Sequence, residues 1–442
     1  MLTAFARAFK TPDLRKKILF TLMIMALFRV GSLVPTPGVN YADVQQCLAG
    51  ASSTSGVLGM MNLFSGGALL HLSIFALGIM PYITASIIVQ LLTVVIPRFE
   101  ALKEEGQSGQ TKLTQYTRYL TIGLAILQSA TYVTFARNPQ QLFGGQCTSI
   151  MPDESWTALL IMVITMTAGT GLVMWMGELI TDRGVGNGMS LLIFTSIVAG
   201  FPTAMWSGVA ANGRQMGRFA MVMALGILIV AAVVFVEQSQ RRVPVQYAKR
   251  LVGRQVYGGS STYIPLKINM ANVIPVIFAS SLLQLPMMVA QFQQGRAKNG
   301  SIPGWAEWIM THLGRGSGLW YGVIFFVLIV FFTFFYVSIT FNPKEVSDNM
   351  KRYGGFIPGI RAGRPTEQYL DYILTRLTVV GALYLGVLSL IPILALEGMG
   401  DGVAQNFPFG GTSLLIMVGV GLETVKQIEA QLEQRNYEGF LR

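Results

Sequence analysis

Apolar positions along this chain gather into long runs separated by short polar stretches. Ten such runs stand out: residues 18–34, 68–96, 119–135, 156–176, 189–205, 219–236, 273–290, 319–341, 377–396 and 412–422. About 20 apolar residues carry a helix across the hydrocarbon, where each backbone group must be bonded internally, so the runs predict ten membrane-spanning helices. The first run follows "LRKK" and could imitate a secretory signal. It is long, ends in "PTPG" and has no small-x-small cleavage site, so it is expected to be a retained first span.

Composition agrees with this pattern. Of the 442 residues, 52% are hydrophobic and 12% charged, against about a quarter charged in an ordinary soluble domain. No stretch outside the runs is long enough for a soluble domain. The expected fold class is therefore all-α, a polytopic membrane protein of ten transmembrane helices. The net charge of +11 could signal nucleic acid, acidic lipid or topology, and the placement of the charges decides. With the N-terminus inside, the outward segments hold only Arg137, Arg214, Arg218, Arg296, Lys298 and Arg315, and Arg29 stays within the first run. The rest of the 32 Lys and Arg face inward, so the positive-inside rule places both termini in the cytoplasm of a multi-pass plasma-membrane protein. Cys47 and Cys147 both fall in outward loops, where a disulfide can persist, and the sequence leaves their pairing open.

One pattern occurs twice. "IMPYITAS" (residues 79–86) and "VIPVIFAS" (273–280) share Pro-x-Ile-x-Ala-Ser, with Pro81 and Pro275 inside apolar runs, where each is expected to bend a helix. If the match is not chance, the second span corresponds to the seventh. The chain then divides into halves of five spans, residues 1–212 and 213–442, and an odd number inverts the second half. Upstream of the first copy, the apolar stretch from Val57 breaks at Ser65, Gly66 and Gly67 before resuming. That is either a short helix on a glycine joint that re-enters the membrane under cover of protein, or an interfacial helix start.

Two inward loops are basic and rich in aromatic and turn residues. The loop at 239–268 carries Arg241, Arg242, Lys249, Arg250 and Arg254, with Gly258 and Gly259 expected at the turn of a hairpin. The loop at 342–368 is bracketed by Gly and Pro and contains Arg361. Topology alone would explain the charge but not the turn chemistry, which suits docking of an anionic partner such as RNA phosphate.

Familiar catalytic signatures are missing from the sequence. His71 and His312 are the only histidines, with no HExxH and no CxxC, so neither zinc-dependent intramembrane proteolysis nor a metal or other cofactor is expected. "GQSGQTK" lacks the Gly that a phosphate loop places before its Lys, and "GVGNG" precedes a membrane helix instead of a βαβ unit. Mid-membrane ionic groups, which a secondary transporter uses to couple ions, are almost absent. Arg29 is expected to snorkel outward, and Glu423 and Lys426 to sit at an interface. The spans do contain amides. Gln90, Gln128 and Asn269, read as lying on three helices, could form a polar seam weak enough to open.

The segments "NLFSGGAL", "ALGIMPYITASIIVQLL", "GVGNGMSLLIF", "RRVPVQYAKR", "NMANVIPVIFASS", "FNPKEVSDNMKRYGGFIPGIRAG" and "FGGTSLLI" closely resemble the SecY family, the central channel subunits of bacterial protein translocases. The resemblance covers essentially the whole chain. It implies two five-helix halves around an hourglass pore that passes unfolded polypeptides and releases hydrophobic segments laterally into lipid, with no catalysis of its own. It maps a pore ring onto Ile79, Ile83, Met189, Ile193, Ile277 and Ile416. A plug falls on residues 57–70, centred on Met60, Met61, Asn62, Leu63, Phe64, Ser65, Gly66 and Gly67, and a lateral gate on Gln90, Gln128 and Asn269. Arg241, Arg242, Lys249, Arg250, Arg254 and Arg361 become docking residues. The implied partners are SecE, SecG, the SecA motor ATPase, the ribosome, signal-peptide-bearing polypeptides and membrane lipids. Two positions depart from the family pattern, Met189 for Ile and Ala362 for Pro. A solute transporter or a purely structural scaffold would be the competing readings; the first needs a coupling-ion site, and the second leaves ring and plug idle.

Overall fold

The computed structural model describes residues 9–50, 65–137, 150–151, 155–211, 216–247, 250–252, 255–257, 261–296, 303–313, 319–398 and 411–440. Each of the ten apolar runs coincides in whole or part with a helix. In chain order the helices are α1 (Pro12–Gly31), α2 (Tyr41–Gly50), α3 (Met80–Val95), α4 (Pro97–Glu104), α5 (Gln107–Arg137), α6 (Trp156–Arg183), α7 (Gly188–Ala211) and α8 (Met216–Gln238). They continue as α9 (Ile274–Arg296), α10 (Gly304–His312), α11 (Leu319–Thr340), α12 (Pro343–Arg352), α13 (Arg364–Gly398) and α14 (Gly411–Phe440). By length and composition, three described helices are fit to cross a membrane alone: Trp156–Arg183, Trp320–Arg352, which joins α11 to α12, and Arg364–Ile391. The pair Met80–Val95 and Pro97–Lys103, bent by 103°, counts as a fourth candidate.

Neighbour relations repeat along the chain. In the first part α3 packs on α5, α5 on α6, α6 on α7, and α7 on α1. In the second part α9 packs on α11, α11 on α13, α13 on α14, and α14 on α8. The two sets meet along two seams, α9 against α3 and α5, and α7 against α14 and α8. A single cluster of buried apolar side chains runs through both sets, from Phe28 of α1 to Val420 of α14.

The chain is not purely helical. Strands β1 (Gln240–Tyr247), β2 (Arg250–Val252), β3 (Gln255–Tyr257) and β4 (Ser261–Lys267) form the hairpin expected between α8 and α9. The innermost described pair of β2 and β3 is Val252 with Gln255, and Gly258 and Gly259, where the turn was expected, lie outside the described residues. A fifth strand, β5 (Gly355–Phe356), pairs antiparallel with the end of β1, so the sheet order is β4-β1-β5. The two basic loops are thus one unit. Val243, Val245 and Leu266 turn inward onto Val337, Met350, Ile357, Leu370 and Ile373, which anchors the unit to the ends of α11, α12 and α13.

The apolar run at 68–96 is not one helix. Residues 65–79 form successive turns, and α3 starts only at Met80. Gly66, Gly67, Leu72 and Gly78 all have positive φ, between 46° and 91°, which no α-helix accommodates. Hydropathy cannot see this, because a coil buried in protein needs the same apolar side chains as a helix facing lipid. Ala68, Leu69, Leu72, Phe75, Ala76 and Leu77 are all at most 4% exposed. The exit of α1 satisfies part of the coil's backbone: Thr36 N–H donates to Leu72 O (3.0 Å), and Ile74 N–H to Val34 O (3.0 Å). Irregular backbone at membrane depth is stable only with such cover.

Candidate functional site

The two Pro-containing repeats adopt one local structure. Neither proline bends a helix interior as the sequence suggested. Pro81 and Pro275 each occupy the first turn of their helix, where a missing N–H costs nothing and the fixed φ favours the helical start. In the first copy the Ile79 carbonyl accepts from the N–H groups of Tyr82 (3.1 Å) and Ile83 (3.2 Å); in the second the Val273 carbonyl accepts from Val276 (3.1 Å) and Ile277 (3.3 Å). Immediately before each acceptor stands a left-handed residue, Gly78 (φ 54°) or Asn272 (φ 50°). Each copy is therefore an elbow that turns the chain sharply into a helix and sets an isoleucine, Ile83 or Ile277, in its first turn.

Five of the expected ring residues share one buried cluster: Ile79 and Ile83 at the start of α3, Ile193 on α7, Ile277 on α9 and Ile416 on α14. None is more than 7% exposed. Close approaches explain how such distant positions meet. Val273 packs so tightly on α14 that a methyl added at Gly419 would lie 2.2 Å from its Cγ2, which draws the second elbow to within a turn of Ile416. Met189 is only half-buried. Its sulfur lies over Gly177 of α6, 2.4 Å from where a Cβ would stand there, and it packs at the margin of the cluster.

Of the expected plug, Met60, Met61, Asn62, Leu63 and Phe64 lie outside the described residues. Ser65, Gly66 and Gly67 are placed beside the cluster. A side chain at Gly66 would meet Ser196 Cα at 3.1 Å, one turn from Ile193 on α7, and Gly66 has φ 67°, so glycine is needed there on two grounds. Arg29 corrects an expectation. Its guanidinium is held by the protein itself, where Nη1 donates to the Gly66 carbonyl and, at 3.4 Å, to Ser32 Oγ. An arginine inside an otherwise apolar span was the available signal, since a cation there needs a partner.

The three amides do not form one seam. Gln90 on α3 is half-buried and its Nε2 reaches Ser86 Oγ on its own helix at 3.5 Å; Gln128 on α5 is buried. Asn269 is not helical: it lies in the connection between β4 and α9, with its amide on Glu237 Oε1 of α8 (2.6 Å) and on the Asn272 carbonyl (3.0 Å). Among the described residues no hydrogen bond joins the three. Glu237, a partner the sequence reading missed, was legible only as a carboxylate at the end of an apolar run. Arg118 and Glu178 tie α5 to α6 through two hydrogen bonds of 2.9 and 2.7 Å.

On the basic unit, Arg241, Arg242 and Arg361 are exposed. The Arg242 guanidinium lies 4.8 Å from the Tyr263 ring centroid. Arg361 sits between Gly359 (φ 84°) and Gly363 (φ 102°), its carbonyl accepting from Thr366 Oγ1 at 2.9 Å. Arg250 belongs to β2, while Lys249 and Arg254 lie outside the described residues. Cys47, on α2, is disulfide-bonded; Cys147 is likewise outside the described residues.

These features define a multi-pass helical membrane protein whose main buried cluster is built from apolar side chains contributed by both parts of the chain. The SecY family model matches residues 73–425. A protein translocase subunit SecY from Streptomyces galbus is 63% identical over 448 residues, covering 100% of both chains. Among solved structures, a protein-conducting channel superposes with a TM-score of 0.63 at 18% identity, over 94% of this chain and 91% of that one. A SecY structure whose plug domain stabilises the closed state of its channel gives 0.60 at 19% identity, over the same shares. The chain belongs to the SecY family.

Proposed function

We propose that this chain is the channel-forming subunit of a protein translocase, which passes unfolded polypeptides across the bacterial plasma membrane and releases hydrophobic segments sideways into lipid. The observation that carries the reading is the meeting of Ile79, Ile83, Ile193, Ile277 and Ile416 in one buried cluster, reached from both parts of the chain through twin elbows. An aliphatic ring offers no fixed hydrogen bond to a passing chain. It can therefore close around any extended polypeptide and dewet when empty. With these side chains at most 7% exposed, the passage is shut in this conformation.

Ten spans in two five-helix halves, 1–212 and 213–442, form the walls, and the repeated neighbour pattern supports that division. Residues 57–70 serve as the plug, its last residues tied to α1 by Arg29. The seam of α9 against α3 and α5, the helices that carry Gln90 and Gln128, is the lateral gate. Both termini are cytoplasmic, as the inward bias of Lys and Arg requires. The sheet that joins the two basic loops is the platform for the ribosome and the SecA motor, and SecE and SecG are the partner subunits. The chain itself catalyses nothing, and work comes from a partner ATPase, the ribosome or the membrane potential.

Replacing Ile83 and Ile277 together by Gly is expected to make the resting channel leak ions in planar bilayers, and unchanged conductance would end the ring assignment. Arg361→Glu should depress SecA-driven transport into vesicles while leaving membrane insertion of the protein intact. Transport equal to wild type would remove Arg361 from the platform. Crosslinks from a stalled, partly exported chain to positions 83 and 277 would be the direct observation of passage.

A further inference from the structure

The second elbow carries a device the first lacks. Asn272 holds φ 50° with a full side chain, a conformation Asn tolerates better than most residues but still less readily than Gly. Its carbonyl is held by Asn269 Nδ2, and the same amide nitrogen is held by Glu237 Oε1 at 2.6 Å. Asn269 is 1% exposed and Glu237 7%, so the bond between them is made away from bulk solvent. The charged groups around Glu237 are Lys267 on the β4 strand and Glu423 and Lys426 on α14. The pair also continues the docking hairpin. Gln240 pairs with Lys267 at its base, Ser239 O accepts from Ile268 N–H (3.2 Å) one step nearer the membrane, and Glu237 meets Asn269 one step further. Across the connection, α13 closes in until a methyl at Gly381 would lie 2.8 Å from the Ile268 carbonyl.

We propose that Glu237 is the positioning residue of the α9 elbow: through Asn269 it fixes Asn272, and with it the Val273 carbonyl that starts α9 and sets Ile277. The consequence for gating rests on the channel reading above, because it takes α9 as a gate helix. A side-chain acceptor oxygen suits the task, since a buried amide N–H left without a partner costs free energy. Without it the Asn269 amide loses its anchor, the left-handed elbow relaxes, and the first turn of α9 frays.

The test uses the full chain reconstituted with its partner subunits. Hydrogen exchange at the amides of Val276 and Ile277 reads the elbow directly; Glu237→Ala should speed it about tenfold, whereas Glu237→Gln, which keeps an acceptor oxygen, should stay within about twofold. In an Asn272→Gly background, where the elbow needs no clamp, Glu237→Ala should change exchange by less than about twofold. Transport of a preprotein with a weakened hydrophobic targeting segment should rise in Glu237→Ala alone. Unchanged exchange in Glu237→Ala, equal acceleration in both backgrounds, or a Gln variant as fast as the Ala variant would each overturn the assignment. A resting channel that stays tight after the paired Ile83 and Ile277 replacements would instead sink the pore reading, while the exchange data would still judge Glu237.

Discussion

The elbows at Gly78 and Asn272 solve one geometrical problem with different chemistry. Both must reverse the chain through a left-handed residue and start a helix on a proline. In the first half a glycine adopts that conformation without steric cost, and the restraint lies upstream, where Arg29 holds Gly66 and the exit of α1 holds Leu72 and Ile74. In the second part the elbow itself is held, by Asn269 and behind it Glu237, and that contact adjoins the base of the β1–β4 pair. The difference is that the starts of α3 and α9 are restrained by separate contacts, one made with α1 and the other within the connection from β4.

The sharpest way to break this comparison is to place Val at each elbow. Gly78→Val should destabilise the chain by about 2 kcal/mol, and Asn272→Val should cost nearly as much, because a β-branched residue is strained in the left-handed region. Thermal unfolding in detergent measures both, and a neutral Asn272→Val would show that the elbows are not equivalent. Next in size, Arg29→Gln weakens a charged hydrogen bond and should cost about 1.5 kcal/mol. Exchange at residues 65–72 should quicken while α9 remains protected, and loss of protection in α9 would mean that the two restraints are coupled. Gly78→Asn, which writes the second elbow's residue into the first without its clamp, is expected to cost under about 1 kcal/mol by the same unfolding assay. The smallest effect belongs to the hairpin: Tyr263→Leu removes the cation–π contact with Arg242 and should cost about 0.5 kcal/mol, leaving the elbows unaltered.

Hydropathy alone located a helix within each of the ten apolar runs, because a run long enough to cross lipid cannot be hidden in a sequence. The repeated Pro-x-Ile-x-Ala-Ser was legible as well, and it marks two segments with the same hydrogen-bonded start. The role of the prolines was misread, since a Pro within an apolar run looks the same whether it interrupts a helix or begins one. Residues 68–79 read as helix for a related reason: burial in protein and exposure to lipid call for the same side chains. Asn269 was assigned to a helix because its neighbours are apolar, yet the positive φ at Asn272 delays the start of α9.

What the sequence determined by itself was therefore one-dimensional: the apolar runs, the clustering of basic residues between them and the twin motif, each set by solvent and by local backbone chemistry. Only the tertiary structure decided which side chains meet. The joining of two loops through β1 and β5, the turn of Arg29 toward Gly66 and the bond between Glu237 and Asn269 all link residues far apart in the chain. Such contacts depend on how helices cross at small residues like Gly419, a matter of packing in three dimensions that no local pattern encodes.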